Sequence, residues 1–122
     1  MSKLRILAVD DEPNILMSLE FILDEEGFVV ETATDGAEAL IKARTFRPDL
    51  VLLDVAMPTK DGFEVCRTLK GHENPPKVVI LTAKGQPLEK KKGMEVGADA
   101  YVTKPYQTSL LLETIRGLLI HE

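Results

Sequence analysis

Short apolar runs alternate along the chain with longer stretches in which apolar residues recur every three or four positions. Short runs bounded by polar residues are typical of buried strands, and the three-to-four spacing is typical of amphipathic helices. We therefore predict strands at 4–9, 28–33, 49–54, 77–82 and 99–102. The run at 49–54 is apolar on both faces, which indicates a central strand of a parallel sheet.

The helical stretches begin and end with capping signals. Helix one follows an acidic segment ending in proline at 11–13 and stops at Gly27. Helix two begins at Asp35, whose spacing from Glu38 is that of a capping box, and it ends at Pro48. These signals set both helices between the first three strands.

Three further helices complete the pattern. The third opens at 61–64 with the same capping-box spacing, the fourth covers roughly 87–96 with the weakest pattern, and the last runs from about 106 to 119. The predicted buried positions of the four clearer helices are Ile15, Leu16, Leu19, Ile22 and Leu23, then Ala39, Leu40, Ala43 and Phe46, then Phe63, Cys66 and Leu69, and finally Leu111, Leu112, Ile115, Leu118 and Leu119.

Five strand–helix units in 122 residues predict a single α/β domain, 1–122, with a doubly wound parallel sheet and helices on both faces. Right-handed crossovers restrict its topology. From known folds of this class we adopt the flavodoxin-like (βα)5 order 2-1-3-4-5, in which strands one and three flank the point where the order reverses. Ligands of such sheets bind there, at the carboxyl ends of the strands.

The charge balance and the single cysteine restrict the setting in which the chain works. A net charge of −5 leaves no basic excess to neutralise phosphates, which argues against non-specific binding of nucleic acid or of an anionic membrane. No apolar stretch approaches the ~20 residues of a membrane span, and we expect no signal peptide. Cys66 cannot form an internal disulfide, so we expect a cytoplasmic protein with this thiol in its core.

Charged residues stand at the ends of three predicted strands. The pair Asp10-Asp11 follows the first, Asp54 closes the third, and Lys104 follows the fifth. These ends meet at one edge of the sheet, so the side chains should converge in one crevice. Taken singly, each residue has an ordinary structural interpretation. The adjacent aspartates would cap a helix, Asp54 would be a solvated strand end, and Lys104 would be a surface lysine. Together they favour a metal and phosphoryl site, because carboxylates suit Mg²⁺ and would otherwise repel one another.

The chain resembles the receiver domain of two-component response regulators along essentially its whole length. The shared segments are ILAVDDEP (6–13), DGAEAL (35–40), PDLVLLD (48–54), MP (57–58), DG (61–62), LTA (81–83), GADAY (97–101) and KPY (104–106). Each segment alone is a weak signal, and together they are specific.

The resemblance implies which residue is modified and which hold a cation. Asp54 is the position that the family phosphorylates on its carboxylate. The cation, Mg²⁺ or Mn²⁺, would be bound by Asp10, Asp11, Asp54 and the backbone carbonyl of Ala56. Phosphoryl transfer needs mainly positioning and charge stabilisation, which so sparse a site can supply.

The resemblance also implies how the phosphoryl group is held and sensed. Lys104 would pair with one phosphoryl oxygen, while the Thr82 hydroxyl and the Ala83 backbone N–H would donate to others. Tyr101 matches a switch position, whose ring would turn inward as Thr82 moves; the alternative is a tyrosine that merely covers the core. The bond before Pro105 matches a cis peptide that would aim Lys104 into the site, the alternative being a trans proline at the start of a helix.

The resemblance finally implies the partners. A receiver takes its phosphoryl group from a sensor histidine kinase or phosphotransfer protein and then controls an output domain or a partner protein. It catalyses only its own phosphorylation and slow dephosphorylation. We expect no direct contact with nucleic acid or membrane, and both a stand-alone receiver and the first domain of a longer regulator fit the sequence.

Five positions bear on how far this chain behaves like other members of the family. Ala56 and Lys84 occupy positions that tune the lifetime of the phosphoryl group, and this pair predicts slow self-hydrolysis. Leu110, Thr114 and Ala100 replace charged residues with which the winged-helix transcription-factor subclass forms its paired dimer. That phosphorylation-dependent homodimer is therefore in doubt, and an exposed Leu110 could anchor a different dimer or a partner helix.

Three other functions compete with the receiver. A pseudo-receiver would act through constitutive contacts, which the complete set of acids, threonine and lysine argues against. A metal-dependent phosphohydrolase would need a second acid where Ala56 stands. An FMN-binding flavodoxin would need phosphate-cradling loops rather than carboxylates at the strand ends.

Overall fold

The chain folds as the predicted alternation of strands and helices. The computed structural model describes residues 3–54, 62–82, 94–104 and 107–119. Five strands and four helices lie in these ranges: β1 (Arg5–Val9), α1 (Pro13–Glu25), β2 (Val29–Ala33), α2 (Gly36–Phe46), β3 (Leu50–Asp54), α3 (Gly62–Lys70), β4 (Lys77–Thr82), β5 (Ala100–Thr103) and α4 (Thr108–Leu119). The helix predicted at 87–96 lies largely outside the described residues. Within these four ranges, every helix is too short or too polar to cross a bilayer.

The strands form one parallel sheet in the order β2-β1-β3-β4-β5, which confirms the predicted topology. β3 is central, and all of its residues are buried, as expected for a strand covered on both faces. Val9 of β1 is in register with Leu53 of β3, so the next residues, Asp10 and Asp54, stand side by side at the carboxyl edge.

Two apolar clusters, one on each face of the sheet, form the core. On one face α2 and α3 contribute Ala39, Phe63, Cys66 and Leu69, and the predicted burial of Cys66 is confirmed. The other face is covered by α1 and α4, whose buried residues are Leu16, Leu19, Leu23, Leu111 and Ile115. Helices therefore lie on both faces, as predicted.

The capping of α2 is close to its prediction. Asp35 Oδ1 accepts a hydrogen bond of 2.8 Å from Glu38 N, as expected. Glu38 Oε1 reaches back to Thr34 N at 2.7 Å, one residue upstream of the position that a capping box uses. The helix ends at Phe46 because Arg47 adopts a left-handed backbone conformation with φ of 52°, immediately before Pro48.

Candidate functional site

Asp10 is buried and hydrogen-bonded at the end of β1. Its side chain is 1% exposed, and its backbone N–H donates to the carbonyl oxygen of Ala33 at 3.1 Å. Its Oδ1 accepts a hydrogen bond of 2.9 Å from Glu12 N, one of the amides that the start of α1 leaves without an intrahelical acceptor. Of the two aspartates predicted to cap α1, Asp10 supplies the side-chain hydrogen bond. Glu12, which stands directly before the helix, makes no capping bond with its own side chain.

Lys104 joins Asp10 to Asp54. Its Nζ donates to Asp10 Oδ2 at 2.9 Å and lies 3.5 Å from Asp54 Oδ2. Asp54, at the end of β3, is 4% exposed, so the ammonium bridges two buried carboxylates. The three strand ends therefore converge, as the sequence predicts.

The charge state of Lys104 follows from this contact. Burial lowers the pKa of its ammonium, but the hydrogen bond to Asp10 and the charges of Asp54 and Asp10 outweigh burial, so the pKa is raised above its usual value. Lys104 is consequently a permanent cation at neutral pH. One ammonium thus faces two buried carboxyl groups, so a second cation would find negative charge at this edge of the sheet whenever both are ionised.

A group of carboxylates suitable for a cation lies beside this pair. One carboxylate oxygen from each of Asp10, Asp11 and Glu12 falls within 4.8 Å of the others, with Asp10 buried and the other two exposed. Hard oxygen donors fit Mg²⁺, and the exposed side leaves room for the waters that this ion retains. Glu12 was missed as a ligand candidate, because next to Pro13 its charge reads as a partner of the helix dipole.

Several predicted site residues are placed only in part. Thr82 ends β4, where it is in register with Thr103, and its side chain lies outside what the structure describes. Ala56, Ala83, Lys84 and Pro105 fall outside the described residues altogether. The contributions predicted for these five residues remain predictions.

The residues predicted for switching and association are placed on the β5 and α4 side. Tyr101 is half-buried, packs against the core cluster of α2 and α3, and is in register with Ile80. Leu110 is 53% exposed, as its helical position predicts. The Thr114 hydroxyl donates a hydrogen bond of 3.0 Å to the carbonyl oxygen of Leu110. Thr114 therefore bonds within its own helix at a position where the winged-helix subclass carries a charged side chain.

One ionic contact on the opposite edge of the sheet was not predicted. Lys70 Nζ at the end of α3 lies 2.8 Å from Asp99 Oδ2, directly before β5. The residues are 29 positions apart and neither stands at a carboxyl strand end, so no sequence pattern pairs them. Asp99 Oδ2 also accepts a hydrogen bond from Val78 N, and β5 covers Ala100–Thr103, one residue further along the chain than predicted.

Comparisons with known proteins agree with this architecture. The family model described as "Response regulator receiver domain" matches residues 6–116. The chain is 43% identical over 115 residues to the alkaline phosphatase synthesis transcriptional regulatory protein PhoP of Bacillus subtilis, covering 94% of this chain and 48% of that protein. It thus spans about half the length of the curated relatives it matches.

Solved structures show the same similarity. The chemotaxis protein CheY4 of Vibrio cholerae is 35% identical with a TM-score of 0.90, over 97% of this chain and 100% of that one. The BeF3-activated N-terminal receiver domain of Klebsiella pneumoniae RstA is 30% identical with a TM-score of 0.90, over 96% and 99% of the two chains.

Proposed function

The chain belongs to the response regulator receiver domain family of two-component signalling, and from that membership we propose that Asp54 accepts a phosphoryl group from the phosphohistidine of a partner kinase or phosphotransfer protein. The observation that carries the proposal is the position of Asp54. Its carboxylate is buried at the end of the central strand, and its Oδ2 lies 3.5 Å from the Lys104 ammonium. A cation at that distance can screen the approach of a second anion.

In the proposed transfer, a carboxylate oxygen of Asp54 attacks the phosphorus. The new P–O bond forms as the P–N bond to the donor imidazole breaks, and the imidazole leaves with the electron pair of that bond. The phosphoryl group brings about −1.5 to −2 charges and three acceptor oxygens. Lys104 is already protonated and oriented there, so charge stabilisation requires little reorganisation.

A divalent cation would complete the site. When bound, Mg²⁺ neutralises negative charge on the carboxylates and on the incoming phosphoryl oxygens. We assign Asp10, Asp11 and Asp54 as the residues that would hold it, and Glu12 is a further candidate because one of its carboxylate oxygens lies within 4.8 Å of those of Asp10 and Asp11. The carbonyl of Ala56 remains a fourth proposed ligand.

The output of the switch would lie on the β4 and β5 side of the sheet. We propose that the Thr82 hydroxyl moves toward the phosphoryl group and that the half-buried Tyr101 ring turns into the space it leaves. The regulated element would be a partner protein or a further domain. The similar PhoP is named as a transcriptional regulatory protein, so a DNA-binding output is the one we favour, with this domain itself making no contact with DNA.

The proposal is tested by intact mass spectrometry after incubation with acetyl phosphate. We expect a gain of one phosphoryl group that requires Mg²⁺ and is absent in Asp54→Ala. The matched control is Asp24→Ala, which removes an exposed carboxylate from α1 and should be modified like the native chain. The absence of any gain in the native chain would reject phosphorylation and favour a pseudo-receiver.

A further inference from the structure

The carboxylate of Asp99 joins three parts of the fold. Its Oδ2 accepts hydrogen bonds of 2.8 Å from the backbone N–H of Val78 and from Lys70 Nζ, while its own backbone N–H donates to the Val78 carbonyl oxygen at 2.8 Å. Lys70 Nζ also donates to the carbonyl oxygen of Pro76 at 3.0 Å. The side chains of Asp99 and Lys70 are 21% and 19% exposed, so the pair is largely shielded from water. It fastens the start of β5 to β4 and to the end of α3.

The strand that follows is short and lies at the edge of the sheet. Of its four residues, Ala100–Thr103, Val102 is buried, while Ala100 and Tyr101 are partly buried against the two core clusters. A buried apolar face specifies register, and in so short a strand the hydrogen bonds of Asp99 at its start add directly to that specification. A slip of one residue would displace the end of the strand by about 3.3 Å and turn each side chain to the opposite face.

Lys104 comes directly after this strand. Its contacts at 2.9 Å with Asp10 and 3.5 Å with Asp54 would both be lost after such a slip. We propose that Asp99 and Lys70 are positioning residues, which hold β5 in the one register that delivers the Lys104 ammonium to the two buried carboxylates. This inference rests on the proposed function only where phosphorylation is the readout.

The turn before β5 is built around the same contact. Gly97 has a φ of 97°, which side chains rarely tolerate, and a Cβ added there would stand 3.3 Å from Lys70 Cγ. Glycine therefore lets the chain turn sharply and pass close to the Lys70 side chain, so that Asp99 meets the ammonium two residues later.

The first test is a double-mutant cycle on the phosphorylation rate. We expect Asp99→Ala to slow modification by acetyl phosphate about ten- to a hundredfold, since displacing a catalytic group by an ångström has effects of that size. In a Lys104→Met background, Asp99→Ala should cause no further slowing, because no ammonium is left to misplace. Lys70→Met should behave like Asp99→Ala, and Lys70→Arg should retain most of the rate. Equal slowing in both backgrounds would show a general structural defect and overturn the proposal.

The second test does not depend on phosphorylation. Lys104 is shielded by its carboxylate partners, so Asp99→Ala should increase its rate of acetylation by an amine-reactive ester, measured by peptide mass spectrometry. Lys42, an ion-paired lysine on α2, is the internal control and should react at an unchanged rate. An unchanged Lys104 rate in a folded variant would overturn the proposal, even if the native chain takes up no phosphoryl group. Failure of phosphorylation with faster Lys104 acetylation would reject the proposed function alone.

Discussion

Lys104 Nζ donates to Asp10 Oδ2 at 2.9 Å, so an internal cation occupies one oxygen of a carboxylate that we assign to the metal. Lys104 and a divalent cation therefore draw on the same negative charge. Lys104 also lies 3.5 Å from Asp54 Oδ2, and the same ammonium is needed there once a phosphoryl group is attached. Lys104 should thus assist transfer of the phosphoryl group to Asp54 and, before that transfer, weaken the binding of Mg²⁺.

Replacing Lys104 should consequently separate these two effects. We expect Lys104→Met, which keeps most of the side-chain volume, to bind Mg²⁺ more tightly, with a gain of about 1 kcal/mol or about fivefold in Kd. The same variant should be phosphorylated more slowly by acetyl phosphate. Isothermal titration calorimetry gives the Kd, and Lys42→Met is the control for loss of an ion-paired lysine elsewhere. Weaker Mg²⁺ binding in Lys104→Met would contradict competition.

Binding of Mg²⁺ should also stabilise the native fold. A cation at ten times its Kd adds about 1.4 kcal/mol to the free energy of unfolding, since the extended chain lacks the site. For a domain of this size, that energy corresponds to a rise in Tm of about 4–8 °C, which differential scanning calorimetry measures. Asp10→Asn should show a smaller rise, because it removes a buried carboxylate from the carboxylate group. Asp24→Asn should keep the full rise, and an equal rise in all three proteins would place the cation elsewhere.

The sequence was sufficient to predict the sheet and the convergence of the charges. Apolar runs reveal strands locally, and parallel topology then brings every carboxyl strand end to one edge. Asp10 and Asp54 meet for that reason alone, since Val9 and Leu53 are in register one position earlier. No side-chain detail was needed for this step.

Contacts between side chains of different elements could not be predicted in the same way. Asp99 and Lys70 are paired by the three-dimensional path of the chain, and neither stands at the carboxyl end of a strand, where the sequence directs attention. Glu12 joins the carboxylate group through the local turn at the start of α1, which no spacing rule separates from an ordinary acidic helix start.

The capping of α2 predicts a small dependence of stability on pH. The hydrogen bond from Thr34 N, together with Lys42, lowers the pKa of Glu38 despite partial burial. Because the pKa is lowered in the native state, ionised Glu38 adds to the free energy of unfolding. This contribution is complete above about pH 4.3, the pKa of an exposed glutamate, and it is lost as pH falls through the native pKa. Because the Glu38 side chain is 39% exposed, solvent screening limits this contribution to about a few tenths of a kcal/mol.

We therefore expect Glu38→Gln to be slightly less stable than the native chain at pH 7 and equally stable near about pH 3. Urea unfolding at the two pH values measures the difference. Glu20→Gln changes an exposed glutamate on α1 and should match the native chain at both. A Glu38→Gln deficit that persists at acid pH would mean that the carboxylate charge is not its cause.

The buried thiol should be inert until the protein unfolds. Cys66 is 0% exposed, and burial raises its pKa to about 11. At pH 8 only about one thiol in a thousand is then the reactive thiolate. Burial of the neutral thiol adds fully to the free energy of unfolding below about pH 8.5. This contribution is lost as pH rises toward about 11, because the thiol of the unfolded chain ionises at lower pH than the native one.

We expect iodoacetamide to label the native chain at pH 8 at least about a hundredfold more slowly than the chain in concentrated urea, with intact mass as the readout. Cys66→Ala should take up no label in either condition, which controls for reaction at lysines. A native rate within tenfold of the unfolded rate would show that the α3 side of the core opens without global unfolding.

The same labelling reports on the contact between Lys70 and Asp99. Lys70 lies four residues beyond Cys66 on α3. If its contact with Asp99 also holds α3 on the sheet, Cys66 of Lys70→Met should be labelled faster than Cys66 of the native chain.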